Sequence, residues 1–61
     1  MKLKRWLEIN EITGVEFAEM VGVTDGAVSR WKMGGRIPRQ DQILMIEKLT
    51  SGKVRPADFY K

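Results

Sequence analysis

The chain has neither cysteine nor histidine. Without cysteine there is no disulfide and no thiolate ligand for a metal. Without histidine the usual general base near neutral pH is gone, and with it the Ser/His and Cys/His nucleophile pairs and most transition-metal sites. These absences point away from an enzyme, and no cofactor, metal or small-molecule substrate is expected. Long apolar runs are missing too. No run exceeds four residues, against roughly 20 for a membrane-spanning helix. Lys2, Lys4 and Arg5 follow Met1, but the apolar stretch of a secretory signal does not follow them. A soluble protein of the cytoplasm or nucleoid, with no membrane partner, is the expectation.

What is present fits a small helical domain. With 61 residues, the chain has room for one domain over 1–61 and one small core, burying only roughly 60% of its unfolded surface. The net charge is +3 and the sequence pI is near 9.6, both modest, but the distribution is uneven. Arg30, Lys32, Arg36 and Arg39 lie within ten residues with no acidic residue between them, while Glu8, Glu11, Glu16, Glu19, Asp41 and Glu47 sit elsewhere. Such a cluster is either an ordinary solvated face or a surface for a polyanion.

Hydrophobic spacing gives the elements. Leu3, Trp6 and Leu7 recur at i, i+3, i+4 and predict a first helix over roughly 2–10. Thr13 followed by Glu16 reads as a capping box, with Ile12 and Phe17 as the hydrophobic staple around it. The second helix then spans about 14–21 and stops at Gly22, a natural left-handed residue. Thr24 caps a third helix from Asp25 to Met33, with Val23 and Val28 repeating the staple, and Gly34-Gly35 end it. Pro38 opens a fourth helix that ends near Thr50-Ser51-Gly52. Pro56 starts one further turn that presses Phe59 onto the core, with Val54 as its companion.

The core expected from this pattern is Leu3, Leu7, Phe17, Ala18, Val21, Val28, Trp31, Ile43, Ile46, Leu49 and Phe59. Trp6 reads equally as core or as a lid. Met20, Met33 and Met45 read as gap-fillers.

The third helix raises the functional question. Val28 and Trp31 face inward at i, i+3, and Asp25, Gly26, Ser29 and Arg30 face the other way. A glycine inside a helix costs about 0.8–1 kcal/mol relative to alanine, so the missing side chain at Gly26 calls for a reason. Two short helices joined only by Gly22-Val23-Thr24, with Ala18 small enough for a close crossing, make a helix-turn-helix.

The segment from Thr13 to Met33, the loop Gly34-Gly35-Arg36-Ile37-Pro38, the leading Trp6-Leu7 and the ending from Leu49 to Phe59 together resemble the Cro and lambda-repressor family of phage and bacterial regulators. The resemblance implies an all-α fold of four to five short helices, a lambda-repressor-like domain, that binds double-stranded operator DNA. In the helix-turn-helix geometry the third helix lies in the major groove. Its base-reading candidates are then Asp25, Gly26, Ala27, Ser29 and Arg30. The Arg30 fork matches guanine O6 and N7. Asp25 is either an acceptor for cytosine N4 or a first-turn anion favoured by the helix dipole. Ala27 suits a thymine methyl, and Gly26 permits close approach. The phosphate candidates are Thr13, Gly14 and Thr24 at helix starts, with Lys32, Gly35, Arg36, Arg39 and Gln40 around the following loop.

Operators of such proteins are usually inverted repeats bound by dimers. With no dimerisation arm in view, a weak homodimer completed on DNA is expected, built from Val54, Phe59 or Tyr60. The alternative is a protein-interaction module, antirepressor- or antitoxin-like, that uses the same scaffold to hold a partner.

Overall fold

A computed structural model describes residues 1–60. The chain forms α1 (Leu3–Ile9), α2 (Gly14–Val21), α3 (Asp25–Met33), α4 (Gln40–Leu49) and a 3-10 turn (Pro56–Phe59), and there is no strand among the described residues. The second and third helices fall on the expected bounds, and α1 is one residue shorter at each end. The start of α4 is a correction. Pro38 does not open the helix; it is buried, and Arg39 takes the cap position with extended backbone, its amide donating to Gln42 Oε1 at 2.9 Å.

Each helix closes in the same way. An amide five residues ahead donates back into the last turn: Ile12 to the Leu7 carbonyl, Val23 to Ala18, Gly35 to Arg30 and Gly52 to Glu47. This is the Schellman arrangement, and it needs a left-handed residue just before the donor. Gly22 (φ 86°) and Gly34 (φ 79°) fill that position around α3, whereas Glu11 and Ser51 adopt φ 54° without the freedom of glycine.

One core holds the helices. It contains Leu3, Trp6 and Leu7 from α1, Phe17 and Ala18 from α2, Val28 and Trp31 from α3, Ile46 from α4 and Val54 from the tail. Trp6 belongs to it, its ring tilted 60° against Phe17 at a centroid separation of 5.9 Å. Val21, Leu49 and Phe59 pack against this cluster only half-buried.

The methionines depart from expectation. Met20, Met33 and Met45 are all exposed, Met33 by 84%, because each sits on the outer side of its helix, so they fill no gap. Val54 follows its reading as a core companion of Phe59 and not its reading as a dimer contact. It is fully buried, so it is withdrawn from the dimer contacts expected of it. Buried Thr50 fixes it there: the Thr50 hydroxyl donates to the Ile46 carbonyl at 2.8 Å and accepts from the Val54 amide at 3.1 Å.

The tail is also clasped to the start of the chain. The Met1 ammonium donates to the Lys53 carbonyl at 2.8 Å and to Asp58 Oδ2 at 2.9 Å, and Lys2 Nζ donates to the Asp58 carbonyl at 2.7 Å.

Candidate nucleic-acid interface

Local sequence sets α2 and α3 before tertiary packing acts. Thr13 caps α2 as predicted, its hydroxyl accepting from the Glu16 amide at 3.1 Å while Glu16 Oε1 accepts from the Thr13 amide at 3.0 Å. Donation to the carboxylate from the Thr13 amide, and next from the Thr13 hydroxyl, holds the Glu16 carboxyl below its ordinary value. At α3 the Thr24 hydroxyl accepts from the Ala27 amide at 3.2 Å. The two helices are joined through Gly22, and Val28 and Trp31 bury the inner face of α3 against the core.

That burial decides which side of α3 is free. Asp25, Gly26, Ser29 and Arg30 are exposed, and Ala27 is half-buried. The carboxylate of Asp25 makes no hydrogen bond among the described residues; Thr24 alone caps the helix. Gly26 has no packing reason to lack a side chain. A Cβ built there meets only Thr24 Oγ1, at 3.9 Å, an ordinary contact, and its φ is not positive. Nothing inside the fold explains that glycine.

The basic residues divide into two places. Arg30, Arg36 and Arg39 line one open cleft of about 210 Å³ together with Ala27, Trp31, Ile37 and Gln42, so α3, the loop after it and the first turn of α4 converge. Lys32 projects instead toward the start of α2, beside Gly14. No carboxylate among the described residues pairs with any of the four, the one ion pair being Met1 with Asp58.

The remaining phosphate candidates are placed unequally. Thr24, Gly35 and Gln40 are exposed, and Gly14 is half-buried at the first turn of α2. Thr13 has both its amide and its hydroxyl engaged by Glu16, which leaves the Gly14 amide as the free donor at that helix start. Gln42 was missed by sequence reasoning although it lines the arginine cleft; its spacing three residues after Arg39 was the available signal.

The family model described as DNA-binding transcriptional regulator Cro matches residues 13–59, which takes in α2, α3, α4, the intervening loop and the tail through Phe59. No curated protein and no solved structure matches the chain. By its match from Thr13 to Phe59, the chain belongs to the family of the DNA-binding transcriptional regulator Cro, and it is a DNA-binding transcriptional regulator.

Proposed function

We propose that this chain reads an operator sequence by laying α3 in the major groove. The observation that carries the reading is the convergence of Arg30, Arg36 and Arg39, none paired with a carboxylate among the described residues, around a cleft walled by α3's Ala27. Three guanidinium groups held close together repel one another unless an anion lies among them, and a nucleic-acid backbone supplies such anions in a row.

Within this reading Arg30 donates to guanine O6 and N7, Asp25 accepts from a cytosine amine, and Ala27 rests on a thymine methyl. Gly26 brings the helix backbone close to the base edges, and Ser29 adds a small polar contact. Lys32, Arg36 and Arg39 neutralise phosphates, and Thr13, Gly14, Thr24 and Gln40 fix the register through hydroxyl, amide and side-chain donors, whereas the Gly35 amide is already given to the Arg30 carbonyl. Two copies bind an inverted repeat as a weak homodimer completed on the DNA. Occupancy of the operator then blocks transcription.

Selection from random duplexes at near-physiological salt tests the reading. The expected result is an enriched inverted repeat. Retention that shows no preferred sequence overturns it and turns attention to a protein partner for the same face.

A further inference from the structure

The outer face of α4 carries a pattern that the DNA reading leaves unused. The helix buries Ile43 and Ile46 and half-buries Leu49. Its opposite face presents Asp41, Leu44, Met45 and Lys48, all exposed, Leu44 by 53% and Met45 by 45%. These four lie at i, i+3, i+4 and i+7, so they form one stripe along the helix. Together with Glu47 they line a shallow apolar depression. Leu44 also walls a second cleft with Pro38, Gln40, Ile43, Pro56 and Tyr60, which extends the apolar surface past the helix.

The stripe is self-complementary under a two-fold axis. When two such helices cross antiparallel about the midpoint between Leu44 and Met45, Leu44 of one copy faces Met45 of the other. Asp41 then faces Lys48 at both ends. A two-fold interface must present one patch that fits itself, each residue finding its partner by the same operation. An acidic end, an apolar centre and a basic end satisfy that condition, whereas a parallel arrangement would set like charges opposite one another.

We infer that the outer face of α4 is where a second copy of this chain docks, antiparallel, with Leu44 against Met45 and Asp41 against Lys48. The inference rests on the proposed pairing of two copies on an inverted repeat and says which surface makes the pair. Four side chains on one short helix bury well under the ~800 Å² per partner of a standard stable interface. The pair is therefore weak when free, and DNA completes it. The contact also leaves the outer side of α3 open in both copies, and neither Arg39 nor Gln42, which α4 and its cap contribute to the arginine cleft, belongs to the stripe.

Sedimentation velocity of the full chain, without DNA, from micromolar concentration to about 1 mM measures this contact by itself. Asp41→Lys gives a wholly basic stripe and Lys48→Asp a wholly acidic one, and each is expected to raise the dimer dissociation constant about tenfold by setting two like-charge contacts in place of two attractive ones. An equimolar mixture of the two variants is expected to recover wild-type association. Leu44→Asn, an exposed change that circular dichroism is expected to report as folded, weakens association independently of charge. A wild-type chain that stays monomeric to about 1 mM, single variants that associate as wild type does, or a mixture no tighter than its components would each overturn the proposal. Binding to a duplex with a single half-site reports on the DNA reading separately, so the failure of one is told from the failure of the other.

Discussion

The ammonium of Lys32, in the last turn of α3, lies against the first turn of α2: a Cβ on Gly14 would stand 3.5 Å from Lys32 Nζ. The end of one helix thus delivers a cation to the start of another, where the Gly14 amide has no intrahelical partner. Arg30, two residues earlier, points to a different place, the cleft shared with Arg36 and Arg39. The two side chains should therefore fail differently. Lys32→Ala is expected to weaken binding to all duplexes alike and to reduce the log–log salt slope by about 0.9. Arg30→Ala is expected to relax preference at one base pair by about 1–3 kcal/mol. Titrations against a preferred and a scrambled duplex at several salt concentrations separate them; identical behaviour of the two variants would show that the roles are misassigned.

Gly26 offers a test in which stability and binding move in opposite directions. An added methyl meets nothing tighter than an ordinary contact, so Gly26→Ala is expected to stabilise the fold by up to about 1 kcal/mol. In a domain of this size that is a rise of about 4–8 °C in Tm. Affinity for the preferred duplex is expected to fall, because the methyl holds α3 away from the base edges. Thermal melting and a binding titration on the same sample decide it, and a variant that is both more stable and equally tight would remove Gly26 from the reading face.

Glu11 makes a second stabilising change available, remote from the interface. It holds φ 54° at the end of α1, with the Ile12 amide bonded to the Leu7 carbonyl at 3.0 Å. A side chain in that conformation costs roughly 1–2 kcal/mol, part of which glycine returns as unfolded-state entropy. Glu11→Gly is expected to gain about 0.5–1 kcal/mol, read as a rise in denaturation midpoint with an unchanged slope.

Acid sensitivity follows from two carboxylates. Asp58 is held below its ordinary value of 3.8, first by the Arg55 amide, which donates to Oδ2 at 2.8 Å, and next by the N-terminal ammonium. Glu16 is likewise held below 4.5. In both the folded pKa lies beneath the unfolded one, so the stability they contribute is complete above the unfolded values and is lost as pH falls through the folded ones. With no histidine to titrate, Tm is expected to stay level between about pH 5 and 7 and to drop below about pH 4. Asp58→Asn is expected to melt lower than the parent at pH 7 and to approach it as pH falls and the carboxylate protonates; parallel curves would assign the acid lability elsewhere.

Much of the fold was legible because its determinants are local. The Thr13–Glu16 box, the Thr24 cap, and Gly22 and Gly34 each act within a few residues, so they placed α2 and α3 before any packing was known. The 3.6-residue spacing likewise picked out Leu3, Leu7, Phe17, Val28 and Trp31. The tail was legible in outline, with Phe59 and Val54 turned inward after Pro56, but not in how it is held. Val54 is held by the irregular turn after α4, which sets its amide on the Thr50 hydroxyl four residues back, and no periodicity encodes that. Pro38 suited a helix start equally well in sequence, yet packing buries it and moves the cap to Arg39. For the candidate interface, the arginines that are close along the chain also share one cleft, whereas the divergence of Lys32 toward Gly14 depends on how α2 and α3 cross.

The double clamp on α3 has an evolutionary consequence. Thr24 fixes one end, Gly34 with Gly35 fixes the other, and Val28 with Trp31 fasten the inner face. The exposed side chains at 25, 29 and 30 contribute no hydrogen bond or ion pair to that scaffold among the described residues. Substitutions there are free to accumulate without eroding the fold, so divergence in what this helix recognises can outpace divergence in the body that carries it.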